Sequence, residues 1–172
     1  MDTQTHKKNK GLTAIEKLKA LDWKDKNLLL LVRHRGCTFC RETLQNMSHY
    51  LKDIQAKGYQ VYVVHMGPEE SSHKLARDFN LDQVHMISDP EKEIFKALGA
   101  RRGSFKEVLG LKVFKKGLLG GSLMKHGVGP LEGDGFQLGG LYRVHNDQVE
   151  CLHRPEHAGD LEPWDQILQQ LS

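Results

Sequence analysis

Cys37 and Cys40 stand three positions apart in Gly36-Cys37-Thr38-Phe39-Cys40-Arg41-Glu42, after the apolar run Leu28 to Val32 and ahead of a stretch with helical periodicity. Strand, turn, Cys-x-x-Cys, helix is a placement in which paired thiols do redox chemistry. The first turn of a helix exposes unpaired backbone N–H groups and the positive end of the helix dipole, so a sulfur there ionises more readily than an ordinary thiol. His34, Arg35 and Arg41 add positive charge close in sequence. On this reading Cys37 is the nucleophile. Cys40, one turn along the same face, is the resolving thiol within disulfide reach. His34 is a candidate acid or base beside Cys37, and Arg41 a candidate source of electrostatic support.

The elements that must hold these residues follow from periodicity. From Arg41 to Lys57, Leu44, Met47, Leu51 and Ile54 recur at helical spacing, and Gly58 supplies the stop. Upstream, Thr13 to Leu21 reads as a short amphipathic helix, with Thr13 and Glu16 in capping-box register. Asn27 to His34 and Tyr59 to Met66 read as strands covered on both faces, and strand, helix, strand implies a right-handed crossover and a parallel pair. Glu69 to Phe79 and Lys92 to Leu98 read as helices flanking a short strand, Val84 to Ser88. Gly99 to Gly140 is glycine-heavy, with a helical patch around Phe105 to Phe114, and so long an irregular stretch is expected to act as a mobile cover over the site. Leu141 to His145, a turn at Asn146-Asp147 and Gln148 to His153 form a predicted hairpin. Pro163 opens a closing helix that carries Trp164, Ile167, Leu168 and Leu171. This order is that of an α/β, thioredoxin-like fold: a central mixed sheet flanked by helices, with a glycine-rich insertion before the C-terminal β-hairpin.

Composition narrows the function classes. The chain has 172 residues, 38% of them hydrophobic, which suits one well-cored domain over 11–172 behind a disordered tail at 1–10. A net charge of +3 is too small to demand nucleic acid, and the pairs Arg101-Arg102 and Lys115-Lys116, like Lys7, Lys8 and Lys10, read as solvated surface. No apolar run approaches the ~20 residues of a membrane span. The first ten residues lack an apolar signal core, so a cytoplasmic location is expected. Three cysteines argue against a disulfide scaffold. No cofactor or bound metal is expected. The rival reading of the pair is a structural zinc half-site completed by Cys151 and His153, and a second rival is a redox-inert interaction protein on the same scaffold. Cys151 by itself reads as a small hydrophobe packed in the hairpin, Trp23 and Trp164 as packing residues, and the histidines other than His34 as mostly surface. Gly127-x-Gly129 has no Gly-Lys-Ser/Thr ending and reads as a loop.

The string Arg33-His34-Arg35-Gly36-Cys37-Thr38-Phe39-Cys40-Arg41-Glu42 resembles the signature of peroxiredoxin-like redoxins related to alkyl hydroperoxide reductase and thiol-specific antioxidant proteins, the group that includes selenoprotein U. Gly133-Asp134-Gly135-Phe136-Gln137-Leu138-Gly139-Gly140, His153-Arg154 and Ala158-Gly159-Asp160 extend the similarity to the C-terminus. The chain departs from the pattern in four places. Thr38 replaces the usual proline, and His34 stands where true peroxiredoxins place threonine. There is no arginine immediately before Leu141, and Gly139 or Gly140 takes the place of the thioredoxin cis-proline. The resemblance implies a thiol-dependent antioxidant activity on a peroxide or a disulfide, with Cys37 attacking, Cys40 resolving and a cellular dithiol such as a thioredoxin, or glutathione, as electron donor.

Overall fold

The computed structural model describes residues 23–119, 121, 124–125, 127, 132–145 and 148–171. The expected tail, the helix at Thr13 to Leu21 and the turn at Asn146-Asp147 lie outside them. The elements are β1 (Lys26–Val32), α1 (Thr38–Ala56), β2 (Gln60–His65), α2 (Glu69–Asp78), β3 (His85–Ser88) and α3 (Glu93–Ala97). They continue with α4 (Phe105–Leu109), α5 (Leu111–Phe114), a π-type turn at Lys115–Leu119, β4 (Gly140–His145), β5 (Gln148–His153) and α6 (Trp164–Gln170). Five strands form one mixed sheet in the order β3-β2-β1-β4-β5. The first three are parallel, and β4 and β5 each run antiparallel to their inner neighbour. The expected thioredoxin-like fold, its central mixed sheet and its late hairpin are all present.

β1 lies at the centre of the sheet, and its sequence states why. Leu28, Leu29, Leu30 and Leu31 are all buried, so the strand is covered on both faces and carries no polar alternation. Leu28 and Leu30 pack with Leu44, Met47 and Ile54 of α1 and Ile167 of α6, whereas Leu29 and Leu31 pack with Tyr62, Phe95 of α3 and Tyr142. At roughly 1.5–3 kcal/mol per fully buried aliphatic side chain, this strand fixes the layer order. α1 stops where predicted: Gly58 has φ +84°, the left-handed conformation that glycine adopts without steric cost.

One expectation changes and two gain detail. The helical patch at Phe105 to Phe114 is two short helices, parted at Gly110, whose backbone leaves the helical region with ψ 174°. Trp164 is buried as expected and Trp23 packs on the Tyr62 ring at 5.3 Å, but His65, expected at the surface, is wholly buried. It ends β2 facing α2, where Nε2 lies 2.8 Å from Ser72 Oγ. Arg101 and Arg102 lie at the surface as expected, but each is paired there, with Glu107 and Asp134 respectively.

Burial pulls the His65 imidazole down to about 4, against the opposing charge of Glu132 and a backbone hydrogen bond at Gly67. His65 is therefore neutral in the folded protein at pH 6, whereas an unfolded histidine titrates near ~6.5. As pH falls below ~6.5 the unfolded state takes up the proton first, so stability drops until the folded-state value near 4 is reached, by ~3 kcal/mol in total. Urea midpoints measured from about pH 7 to about pH 4 should fall more steeply for the wild type than for His65→Gln. Parallel curves would show that His65 does not carry this acid sensitivity.

Candidate active site

The site forms where β1 ends. The Arg33 carbonyl still accepts the Met66 N–H at 2.8 Å, continuing the pairing with β2, and the chain then turns, with the Cys37 N–H donating to the His34 carbonyl at 3.1 Å. Cys37 is the N-cap of α1, and its sulfur accepts the Cys40 N–H at 3.3 Å. A sulfur thus occupies the position that serine, threonine or aspartate commonly takes. No acidic residue lies in the first turn of α1 to compete for the positive end of the helix.

The structure adds a residue that the charge pattern alone did not single out. Arg33 is buried, and its Nη2 donates to Cys37 Sγ at 2.8 Å while its backbone N–H donates to Cys40 Sγ at 3.3 Å. Nη1 donates to the Gly135 carbonyl at 2.6 Å. The Gly135 carbonyl is in turn set by Asp134, which accepts from Lys92, Arg102 and the Phe136 N–H. The Arg102 hydrogen bond, with the help of Lys92 and Phe136, holds the Asp134 carboxyl well below the usual carboxylate range although burial opposes it. One arginine therefore joins both thiols to the end of the glycine-rich segment.

Both sulfurs are free thiols, 7% and 8% exposed. Burial works against ionising either one. For Cys40 the hydrogen bond from Cys37 and the Arg33 charge outweigh it and bring the thiol down to about 5. For Cys37, expected from its place at the helix start to be the more acidic thiol, burial prevails instead, and the hydrogen bond and charge of Cys40 add to it, so its thiol is pushed up. The two share one proton, and the ionisations belong to the pair: the first is easy and the second hard. Because the guanidinium touches Cys37, it holds the negative charge there whenever the shared proton sits on Cys40.

The remaining predicted site residues fall around this core. His34 is buried in the turn, and its charge favours the Cys40 thiolate. Arg41 does not reach for a sulfur: its guanidinium lies over the Phe79 ring at 5.4 Å and donates to the Arg35 carbonyl at 3.4 Å. Arg35 pairs with Glu132 at 2.8 Å, and Glu132 also accepts from Ser71. Thr38, in the place where the resembling family commonly has proline, donates to the Gly127 carbonyl at 2.8 Å. Described residues of the glycine-rich segment therefore meet the site at two points, Gly127 at Thr38 and Gly135 at Arg33. A cavity of about 30 Å³ opens beside Cys40, lined among others by Arg33, Thr43, Gly139, Asp160 and Glu162. It has room for one or two water-sized molecules. Gly139 has to be glycine, since a Cβ there would lie 2.1 Å from the Leu31 carbonyl oxygen.

Comparison with known proteins agrees with this fold. The AhpC/TSA family model matches residues 4–115. The chain belongs to the AhpC/TSA family. Among curated relatives, prostamide/prostaglandin F synthase of Xenopus tropicalis is 30% identical over 159 residues, covering 90% of this chain and 78% of that one. Peroxiredoxin-like 2C of Mus musculus is 29% identical over 152 residues, covering 83% and 66%. Among solved structures, reduced Prx3 of Vibrio vulnificus in complex with H2O2 superposes with a TM-score of 0.59 at 16% identity, covering 90% of this chain and 82% of that one. The bacterioferritin comigratory protein of Xanthomonas campestris gives 0.56 at 10% identity, covering 85% and 77%. At such identities these two structures speak to fold alone.

Within this AhpC/TSA-family chain, Cys151 is not packed in the hairpin; it is exposed on β5, opposite Tyr142. Among the described residues no group of three or more histidine, cysteine or acidic side chains is arranged to hold a metal, which leaves the zinc reading without its two further ligands. No helix among them is long and apolar enough to cross a membrane.

Replacing Arg33 by methionine keeps the buried stem and removes the charge. An opposite charge at this range lowers a thiol by ~1–3 units, so alkylation of the pair by iodoacetamide near pH 7, resolved by peptide mass, should slow by ~10-fold or more in Arg33→Met. Equal rates in the two proteins would remove Arg33 from the site.

Proposed function

We propose that this chain is a thiol oxidoreductase that reduces a small peroxide through a Cys37/Cys40 dithiol–disulfide cycle. The observation that carries this reading is the double grip of Arg33, guanidinium on one sulfur and backbone N–H on the other, at the start of α1. The Cys37 thiolate attacks one peroxide oxygen; the O–O bond breaks, the leaving oxygen takes a proton to become water or an alcohol, and Cys37 becomes a sulfenic acid. Cys40 then attacks the Cys37 sulfur, the S–S bond forms and water leaves. Two thiols of a cellular dithiol such as a thioredoxin, or two molecules of glutathione, return the pair to its reduced form and leave as a disulfide. The cycle needs a reducing compartment, for which the cytoplasm is our assignment.

The size of the cavity favours a peroxide over a protein disulfide. Both cysteines are more than nine-tenths buried, and the cavity of about 30 Å³ beside Cys40, which Cys37 does not line, admits only a molecule of a few atoms, such as hydrogen peroxide. His34, buried in the turn before Cys37, is our candidate for protonating the leaving oxygen. Arg41 supports the turn through Phe79 and Arg35 rather than the sulfur directly. The names of the prostaglandin F synthase relatives make a lipid peroxide the second substrate to assay.

Turnover of hydrogen peroxide, a lipid hydroperoxide and a model protein disulfide, each with a dithiol donor, should fall by at least ~100-fold in Cys37→Ser. Cys40→Ser should complete one peroxide turnover and stop at a trappable sulfenic acid. Wild-type rates with Cys37→Ser on all three substrates would overturn the proposal, and turnover confined to the protein disulfide would replace the peroxide with that substrate.

A further inference from the structure

A carboxyl group shares the lining of the cavity with Cys40. Glu162 lies in the segment between β5 and α6, is half-buried, and shares the lining with Cys40. Thr43, one turn beyond Cys40 on the same face of α1, donates its hydroxyl to Glu162 Oε2 at 2.9 Å and fixes the carboxyl over the cavity. The other charged or titratable groups around it are Arg33 from the end of β1, His153 from β5, and His157 and Asp160 from the intervening segment. Burial raises the Glu162 carboxyl and the nearby Cys40 charge adds to this, while its own backbone N–H, His153 and Thr43 pull the other way. A buried carboxyl of this kind exchanges protons nearer neutral pH than an exposed one.

We propose that Glu162 is the proton relay for Cys40, taking the thiol proton when Cys40 attacks and supplying a proton when Cys40 leaves. The proposal rests on the dithiol cycle above. In disulfide closure the Cys40 S–H bond breaks, the proton passes through the cavity to the Glu162 carboxylate, the Cys40 sulfur bonds to the Cys37 sulfur and the S–O bond of the Cys37 sulfenic acid breaks, releasing hydroxide. The same proton then goes to the departing hydroxide, giving water, so the step is Cys37–SOH plus Cys40–SH to disulfide plus water. On reduction, the donor thiol gives its proton to the Glu162 carboxylate through solvent and its thiolate attacks Cys37; the Cys37–Cys40 bond breaks, Cys40 leaves as thiolate and the Glu162 carboxylic acid protonates it. The cavity provides space for one bridging water on this route.

The test is single-turnover kinetics on the full chain with hydrogen peroxide, using a dimedone trap for sulfenic acid and mass detection of the Cys37–Cys40 disulfide. In Glu162→Gln, closure should slow by ~100-fold or more, sulfenic acid should accumulate, and the rise of the closure rate with pH attributable to a carboxylate should vanish. Glu162→Asp should restore part of the rate. Thr43→Val, which keeps the carboxyl but removes its anchor, should slow closure less while keeping that pH dependence, and it serves as the probe if Glu162→Gln does not fold by circular dichroism. Closure within twofold of wild type with an unaltered pH profile in Glu162→Gln would overturn the relay, as would closure within twofold of wild type in Thr43→Val if Glu162→Gln does not fold. Failure of the wild type to form any Cys37–Cys40 disulfide would instead overturn the dithiol cycle beneath it.

Discussion

A buried guanidinium between two thiols is the interaction on which the site depends. Removing an arginine from water costs several kcal/mol unless an anion and fixed acceptors replace the solvent. Arg33 receives both: the sulfurs supply the anion, more than offsetting the burial that opposes its charge, and the Gly135 carbonyl supplies a fixed acceptor. The thiols benefit in return, since the same burial would keep both of them protonated without a cation in contact. The dependence is mutual, which is why charge, turn and cover form one unit.

The fold delivers this contact by placing three backbone directions at one point. β1, apolar on both faces, brings Arg33 out of the centre of the sheet; α1 starts four residues later with Cys37 as its cap; and the segment that leads into β4 returns beside β1 at Gly139, where only a glycine fits. Asp134 sets the position of the Gly135 carbonyl through Lys92 of the α3 N-cap and Arg102. The Gly135 carbonyl is therefore where this segment meets the charge that touches the sulfur. The parallel strands β2 and β3 lie outside this path, and their contribution is the core that holds β1 still.

Much of this was legible in the sequence because it rests on local patterns. Uninterrupted Leu28 to Val32, helical spacing from Leu44 to Ile54, the Gly58 stop and the period-two hairpin are each set by a few neighbouring residues, and each is found where expected. The two thiols at the helix start belong to the same class. What stayed hidden depends on pairs far apart in the chain. Arg33 reads as one more basic residue beside His34 and Arg35 until the fold turns it inward to Gly135, and Glu162 gains meaning only when α1 brings Thr43 and Cys40 against it. His65 and Cys151 show the same limit in opposite directions, since the position of each strand in the sheet, not its local pattern, decides that one is buried and the other exposed. A signal for Arg33 was present all the same: a charged residue ending a strand of pure leucine and valine, four positions before a thiol, has few places to point except toward it.

The most direct measurement of the central claim is an ultraviolet thiolate titration of the full chain carrying Cys151→Ser, so that only the pair reports. The account predicts one thiolate per chain appearing near pH 5, and a second only well above the range of an ordinary cysteine. Two thiolates rising together near ~8.5, as free cysteines do, would contradict it.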